Sequence, residues 1–249
     1  MSYSTLALSL FFVLVPILLS KTLNLGIEKD TAIATVRSVV QLLILGYILQ
    51  FVFDAEHFIY IVLMIIMMIT VAVINAQKKG KNIPGITWKL FVTIGLVEIV
   101  TQAILLGFQI IPFEPRYIIP ISGMLIGNSM VLSILFLNRF NAEIEAHEQE
   151  IELILSLGGT PKQAIHKSLL LSIKTSMVPV IEAQKTIGLV QIPGMMSGQI
   201  IGGADPVVAV QFQILINFAL LTCATLSSVI LGFLIYPTYF NKQMQRVSL

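Results

Sequence analysis

The stretch FIYIVLMIIMMITVAVINA, residues 58–76, contains no charged side chain. An α-helix of about 20 apolar residues crosses the ~30 Å hydrocarbon core of a bilayer, so this stretch predicts a membrane-spanning helix. The whole chain has the same character, because 56% of its 249 residues are hydrophobic and only 11% are charged. A soluble domain of this size has too little interior to bury so many apolar side chains. We therefore expect an all-α, polytopic transmembrane helical bundle that forms one domain over residues 1–249.

Further stretches of similar composition extend this bundle to about seven spans, or six if the least apolar one does not cross. The predicted spans are residues 4–20, 32–53, 58–76, 88–111, 117–138, 172–192 and 207–236. The first lacks the basic start and small-residue cleavage site of a signal peptide, which indicates a retained span. The sixth contains Pro179, Glu182, Gln184 and Lys185, which indicates a kinked or partly water-lined helix.

Basic residues mark one side of the predicted bundle. They are Lys21, Lys29, Lys78, Lys79, Lys81, Lys89, Arg139, Lys162, Lys167, Lys242 and Arg246, whereas the loops on the other side hold only Arg116. Cytosolic loops are enriched in Lys and Arg, so this pattern predicts a multi-pass cell-membrane protein with its N-terminus outside and its C-terminus in the cytosol. The net charge of +2 is too small to indicate a nucleic-acid partner.

A polar segment, residues 139–171, separates the fifth and sixth spans and is predicted to be cytosolic. Its first part is an amphipathic helix with an acidic face made by Glu143, Glu145, Glu148, Glu150 and Glu152. Gly158 and Gly159 end that helix, because glycine readily adopts the left-handed conformation. Thr160, Pro161 and Gln163 then supply an N-cap, a first-turn proline and a capping-box partner for a second helix. This helix-turn-helix has a shape that a partner protein can bind.

Motifs of catalysis are absent from the sequence. It contains no GxxxxGK[ST] phosphate loop, no HExxH and no CxxC, and its three histidines and single cysteine are scattered. We therefore expect a chain that is not an enzyme, binds no cofactor and has no ATP site of its own. The helix-turn-helix is then best explained as the handle by which a separate motor moves the spans. A solitary secondary transporter or channel is the alternative, and it would predict inverted internal repeats that the sequence does not show.

Several segments resemble a known family of transporters. EIELILSLGGTPKQAIHKSLLLSI (150–173) is similar to the cytoplasmic coupling loop of ABC permeases, in which a Glu precedes a Gly by six residues, as Glu152 precedes Gly158. It departs from the importer form, because Leu170 and Leu171 stand where an LP pair is usual. Four segments together resemble the FetB (YbbM) family of ABC permeases. They are this loop, RSVVQLLILGYIL (37–49), GMLIGNSM (123–130) and IGLVQIPGMMSGQIIGGADPVVAVQFQI (187–214).

The resemblance implies a permease subunit of an ATP-driven exporter, generally of iron, that pairs with a separate FetA-type ATPase subunit hydrolysing the ATP. It also implies two permease copies, because ABC motors close as pairs. The residues implied to couple the permease to the ATPase are Glu152, Gly158, Gly159, Thr160, Pro161 and Gln163. The plant relatives include the aluminium-sensitivity STAR-type proteins and have been tied to a nucleotide sugar, so a non-metal solute is the alternative cargo.

Polar residues within the predicted spans are candidates for the transport path, because a charge at such depth costs at least ~2.5 kcal/mol. Arg37 and Gln41 share one helix face and Glu98 and Gln102 share another, since each pair is four residues apart. We expect Arg37 and Glu98 to face the bundle interior, where they neutralise one another or line the path. The alternative for Arg37 is that it reaches the lipid headgroups.

Glu182 and several methionines each have two interpretations. Glu182 either ligates a hard cation or forms an intrahelical pair with Lys185. The methionines are either soft metal ligands or adaptable packing, and they are Met195 and Met196 together with Met124 and Met130.

Asn128 and Asp205 are the last two path candidates. Asn128 either lines the path or serves close helix packing beside Gly123 and Gly127. Asp205 lies near the end of the glycine- and proline-rich stretch 193–206, which predicts a re-entrant segment or a tight extracellular turn. We expect Asp205 to be a helix N-cap or a cation contact.

Overall fold

The structure is a computed structural model that describes residues 11–55, 57–241 and 245. Its α-helices are α1 Phe11–Leu23, α2 Glu28–Ala55, α3 Phe58–Ala76, α4 Ile86–Gly107, α5 Pro115–Ala146, α6 Glu148–Ser156, α7 Pro161–Thr186, α8 Gly194–Ile201 and α9 Pro206–Ile235. Short 3₁₀ helices follow α3 at Gln77–Lys79 and α9 at Tyr236–Tyr239. Within these residues no β-strand forms, and the predicted all-α class is confirmed.

The chain divides into two compact units, and the first ends at His57. This first unit contains α1 and α2, which pack against each other. The buried Ser20 hydroxyl closes the turn between them by donating a hydrogen bond of 2.7 Å to Glu28 Oε1. The predicted first span, residues 4–20, begins outside the described residues, and α1 continues to Leu23.

In the second unit α5 lies at the centre and packs against α3, α7 and α9, while α4 packs against α3, α5 and α9. One buried cluster surrounds the stacked rings of Phe136 and Phe140. Gly232 lets α9 approach closely there, because a Cβ at this position would lie 2.8 Å from Leu169 Cδ1 and 3.1 Å from Phe136 Cζ. A second cluster surrounds Cys223 where α4, α5 and α9 meet.

Five helices are long and apolar enough to cross a membrane, counting only residues that the structure describes. They are Glu28–Asp54, Phe58–Lys79, Ile86–Gly107, Pro115–Ala146 and Pro206–Tyr239. α1 is apolar but shorter, and α7 is long but is not among the five. The helical membrane bundle is therefore confirmed, whereas the count of seven spans stays a prediction.

The helix boundaries differ from the sequence prediction between the fifth and sixth spans. The fifth helix does not end at residue 138 but continues to Ala146, and the second helix of the segment 139–171 is continuous with the predicted span 172–192 as α7. That helix ends at Thr186, so residues 187–192 lie in the following turn. Hydropathy shows where the side chains pass from lipid to water. A helix ends only where the backbone hydrogen-bond pattern is lost, and charged residues do not interrupt that pattern.

Candidate functional site: an elbow joined to a polar cavity

The turn between α6 and α7 is formed by the two glycines that the sequence singled out. Gly158 has a left-handed φ of +84°. Its N–H donates to the carbonyl of Leu155 at 3.0 Å, and the N–H of Gly159 donates to that of Ile154 at 2.9 Å. This is the Schellman motif, which satisfies the last carbonyls of α6. A Cβ on Gly159 would lie 2.5 Å from Ile154 Cγ2, so only glycine fits there.

The start of α7 confirms the predicted capping box. Thr160 Oγ1 accepts a hydrogen bond from the N–H of Gln163 at 3.4 Å, and Gln163 Oε1 accepts one from the N–H of Thr160 at 2.8 Å. Pro161 occupies the first turn, where its missing N–H leaves no donor unpaired. An ion pair of 2.9 Å between Lys167 Nζ and Glu150 Oε2 joins α7 to α6. The turn is therefore fixed from both sides.

We call residues 148–163 the elbow. Ile151 is buried in the main apolar cluster and anchors the elbow to the bundle. The outer surface is different, because Glu152 is exposed and the side chains of Leu153 and Leu157 are 58% and 79% exposed. Contact between this surface and an ATPase stays a prediction.

Helix α7 runs without a break from the elbow to a polar cavity. The distance along its axis from Thr160 to Gln184 is about 36 Å at 1.5 Å per residue. Ser176 and Gln184 both line the cavity. Pro179 also lies on the cavity wall, and it removes one backbone donor from the middle of the helix. The elbow and the cavity wall are therefore joined by a single helix, which contains one proline.

The cavity has a volume of about 390 Å³ and lies between α5, α7, α9 and the start of α8. Its polar lining consists of uncharged side chains, namely Asn128, Ser176, Gln184, Gln191, Gln213 and Asn217. Two methionines, Met124 and Met195, also line it. No Asp, Glu, Lys, Arg or His belongs to the lining among the described residues.

Hydrogen bonds fix the orientation of three of these amides. Asn128 Nδ2 donates to the main-chain carbonyl of Leu220 at 3.2 Å, and Gln184 Nε2 donates to that of Asn217 at 3.0 Å. Gln213 Nε2 donates to Asn217 Oδ1 at 2.9 Å. Since the NH₂ groups are committed to these acceptors, the amide oxygens remain to accept from a ligand or to coordinate a cation.

Gln213 is the most informative member of the cavity. Its side chain is only 8% exposed, and Oε1 receives no hydrogen bond from any group in the described part of the chain. A buried acceptor without a partner costs about 1–3 kcal/mol. Because Gln213 also lines the cavity, this unpaired oxygen makes the residue a candidate contact for a bound species.

Four of the five lining amides were not among the sequence-predicted site residues. Gln184 appeared only as a polar residue of the sixth span, and Gln191, Gln213 and Asn217 were not considered. A signal was present, because Gln213 and Asn217 are four residues apart within an otherwise apolar run and therefore share a helix face. Asn128 lines the cavity and also donates a hydrogen bond to α9, so path lining and helix packing are compatible roles for this residue.

Of the four candidate methionines, two line the cavity and two do not. Met124 and Met195 lie on the cavity wall, whereas Met130 Sδ accepts a hydrogen bond of 3.4 Å from Asn75 and Met196 is not part of the lining. The structure contains no group of three or more His, Cys, Asp or Glu side chains that could hold a metal, within the residues described. A cation in this cavity would therefore be held by neutral oxygen and sulfur atoms.

Glu98 and Gln102 lie outside the cavity, in the interior between α4, α5 and α9. Glu98 is 4% exposed and lies beside Ser122 and Gln102. Gln102 Nε2 donates to Ser122 Oγ at 2.8 Å. Neither carboxyl oxygen of Glu98, nor Gln102 Oε1, has a hydrogen-bond partner among the described residues. Two acceptors one helical turn apart are thus buried together.

We expect Glu98→Gln to raise the free energy of unfolding by about 1–3 kcal/mol, because an amide can donate to Gln102 Oε1 and removes a buried ionisable group. The measurement is thermal unfolding in detergent, followed by a thiol-reactive dye that labels the buried Cys223, the chain's single cysteine, as the fold opens. Glu182→Gln, at an exposed position, is the control and should change little. A lower midpoint for Glu98→Gln would instead support a charged, paired carboxylate, as the Arg37 hypothesis requires.

Arg37 and Gln41 are both exposed on α2, in the first unit. Glu98 belongs to the second unit, so the pairing of Arg37 with Glu98 stays a prediction.

Glu182 forms the intrahelical pair and Asp205 forms the helix N-cap that were among their expected roles. Glu182 Oε1 pairs with Lys185 Nζ at 2.7 Å, and both side chains are exposed. Asp205 Oδ1 accepts from the N–H groups of Val207 at 2.7 Å and Val208 at 3.4 Å, and thereby caps α9. Neither carboxylate lines the cavity, and a contact of either one with cargo stays a prediction.

Comparison with known proteins identifies the family of this chain. Residues 3–240 match the family described as "Uncharacterised protein family (UPF0014)". The chain is 54% identical to "UPF0014 membrane protein YjkA" of Bacillus subtilis, covering 98% of each protein. It is 39% identical to "Probable iron export permease protein FetB" of Escherichia coli, covering 98% of this chain and 94% of that protein.

A plant relative and the solved structures complete the comparison. The chain is 34% identical to "Protein ALUMINUM SENSITIVE 3" of Arabidopsis thaliana, covering 96% of this chain and 88% of that protein. No solved structure matches. The expected resemblance to FetB-type proteins is confirmed, and this multi-pass helical chain belongs to the UPF0014 membrane protein family.

Proposed function

We propose that this chain is the permease subunit of an ATP-driven exporter that moves a metal cation, iron first among the candidates, out of the cytosol. It resides in the cell membrane with its N-terminus outside and its C-terminus inside. Two copies assemble with two ATPase subunits of the FetA type. The name of the Escherichia coli relative supports iron export, and the family supports a role in the membrane.

The observation that carries the proposal is the continuity of α7. One end of this helix carries the capped elbow, and the other end supplies Gln184 to the wall of the cavity. An exporter driven by a separate motor needs such a mechanical link between the motor and the cargo site. A solitary channel has no use for a rigid elbow beyond the apolar spans.

The cavity lining supports a cation rather than an anion as cargo. Its amide oxygens and thioether sulfurs are acceptors and metal ligands, whereas a nucleotide sugar carries two phosphate charges that need basic partners. None of the described side chains on the cavity wall is basic. Neutral ligands also bind a cation weakly enough to release it, which a transport site requires.

The mechanism follows from the elbow and the helix together. ATP-driven closure of the two ATPase subunits pushes the elbow of each permease copy. Because α7 packs against both α5 and α9, its displacement changes the spacing of the three helices that bound the cavity. The opening of the cavity then changes from the cytosolic side to the outer side, and Pro179 is the point where α7 bends.

The test is transport by the purified chain in inside-out vesicles, with and without a FetA-type ATPase subunit. We expect ATP-dependent accumulation of Fe(II), measured with an internal metal-sensitive dye, only when both subunits are present. Mn(II), Cu(I) and a nucleotide sugar are the comparison cargoes. Transport by the chain alone would exclude the motor, and accumulation of the nucleotide sugar without any metal would exclude the cationic cargo.

A further inference from the structure

A second cavity lies at the C-terminal end of α3, and the proposed transport mechanism does not use it. It has a volume of about 300 Å³ and is formed where the chain passes from α3 to α4. The last part of α5 and the residue Tyr239 close it on the far side. We call it the lysine pocket, because its lining includes Lys78, Lys79 and Lys81.

The charge of the lysine pocket is strongly one-sided. All three lysines are exposed, and none of them forms an ion pair with any carboxylate that the structure describes. Glu145 is the one acidic residue of the described lining, which leaves an excess of two positive charges. Three ammonium groups around one small cavity repel one another, and this repulsion is relieved when an anion binds between them.

Neutral groups in the lysine pocket add a donor. The hydroxyl of Tyr239 donates to Asn141 Oδ1, so that oxygen is occupied and Asn141 Nδ2 remains as a donor. The ring of Tyr239 packs edge-on against Phe140, with ring centroids 5.3 Å apart, and this contact fixes its position. The pocket therefore combines cationic and neutral donors on a rigid base, which suits a phosphate group.

The depth of the pocket identifies the source of that phosphate. One candidate span ends at Lys79 and the next begins at Ile86, so the lysines stand at the edge of the hydrocarbon. Trp88 is 70% exposed and stacks on Phe91 with centroids 6.2 Å apart. Exposed tryptophan is concentrated at the level of lipid headgroups. The pocket thus opens at the height where headgroup phosphates lie.

We infer that the lysine pocket binds the phosphate of an anionic lipid headgroup in the leaflet that faces the cytosol. The basic-residue pattern predicts that this end of the bundle is cytosolic, and the cytosolic leaflet carries the anionic lipids. Bound lipid holds the loop between α3 and α4 against α5. This inference is independent of the transported cargo and of the ATPase partner.

The test uses the purified full-length chain in nanodiscs of phosphatidylcholine with a minority of phosphatidylglycerol. Lipids that remain bound after transfer to mild detergent are counted by native mass spectrometry. The pocket variant is Lys78→Gln, Lys79→Gln and Lys81→Gln together. The control variant is Lys162→Gln, Lys174→Gln and Lys185→Gln together, which removes the same charge from α7. Near a membrane surface each lysine contributes a factor of about 5 in affinity for anionic lipid.

We expect the wild-type chain and the control variant to retain phosphatidylglycerol and the pocket variant to lose it by at least tenfold. Equal retention by all three proteins, or equal loss in both variants, would overturn the inference. Displacement of the lipid by inorganic phosphate would support the phosphate chemistry of the site. Binding of inorganic phosphate without any preference for phosphatidylglycerol would assign the pocket to a free anion and overturn the lipid. Loss of ATPase binding in the pocket variant with lipid retained would assign it to a protein contact instead.

Discussion

Leu157→Asp should abolish ATP-driven transport while the permease remains folded. Leu157 stands at the tip of the elbow with 79% of its side chain exposed, next to the glycine turn that holds it in place. A partner that buries this side chain gains about 1.5–3 kcal/mol, whereas burial of an unpaired aspartate costs more than that gain. We expect at least a hundredfold weaker binding of the ATPase, measured with both subunits in nanodiscs, and no detectable ATP-dependent metal accumulation.

Two matched variants make this result specific. Leu157→Met keeps an apolar side chain of similar volume and should retain transport. Ser156→Asp places the same charge one residue away, where the side chain is also exposed. If Ser156→Asp were as damaging as Leu157→Asp, added charge and not the leucine contact would be responsible. Labelling of Cys223 during heating reports whether each variant is folded.

The elbow could be predicted from sequence because its interactions are local. Thr160 and Gln163 are three residues apart, and Gly158 ends α6 through bonds to carbonyls within five residues. Capping and glycine chemistry depend on such near neighbours. The apolar character of the helices was equally accessible, because hydropathy is a property of each segment by itself.

The cavity could not be predicted in the same way, because its walls come from helices far apart in the chain. Glu182 and Gln184 were both visible as polar residues in one span, yet Glu182 is exposed and Gln184 lines the cavity. Residues two apart on a helix point in nearly opposite directions. The sequence does not say which direction is inward, since lipid-facing side chains in a membrane helix are as apolar as buried ones.

Gln213→Glu should show whether the cargo is positive or negative. The substitution keeps the shape of the side chain and places a carboxylate where a buried amide oxygen now lacks a partner. At an effective dielectric constant near 20, two unit charges 4 Å apart interact by about 4 kcal/mol, which exceeds the ~1.4 kcal/mol of a tenfold change in affinity. For a metal cation we expect KM to fall at least tenfold. We also expect kcat to fall, because release becomes the slow step.

An anionic cargo would respond with the opposite sign, since Gln213→Glu would repel it and raise KM. Gln213→Leu removes the acceptor without adding charge, and we expect it to raise KM for the cation. Gln211→Glu is the control, because residue 211 lies on the same helix but is exposed and outside the cavity lining. All values come from the vesicle assay with the ATPase present. If neither Gln213 variant changed KM for any cargo, the transport path would have to lie elsewhere, and the buried Glu98 would become the next candidate.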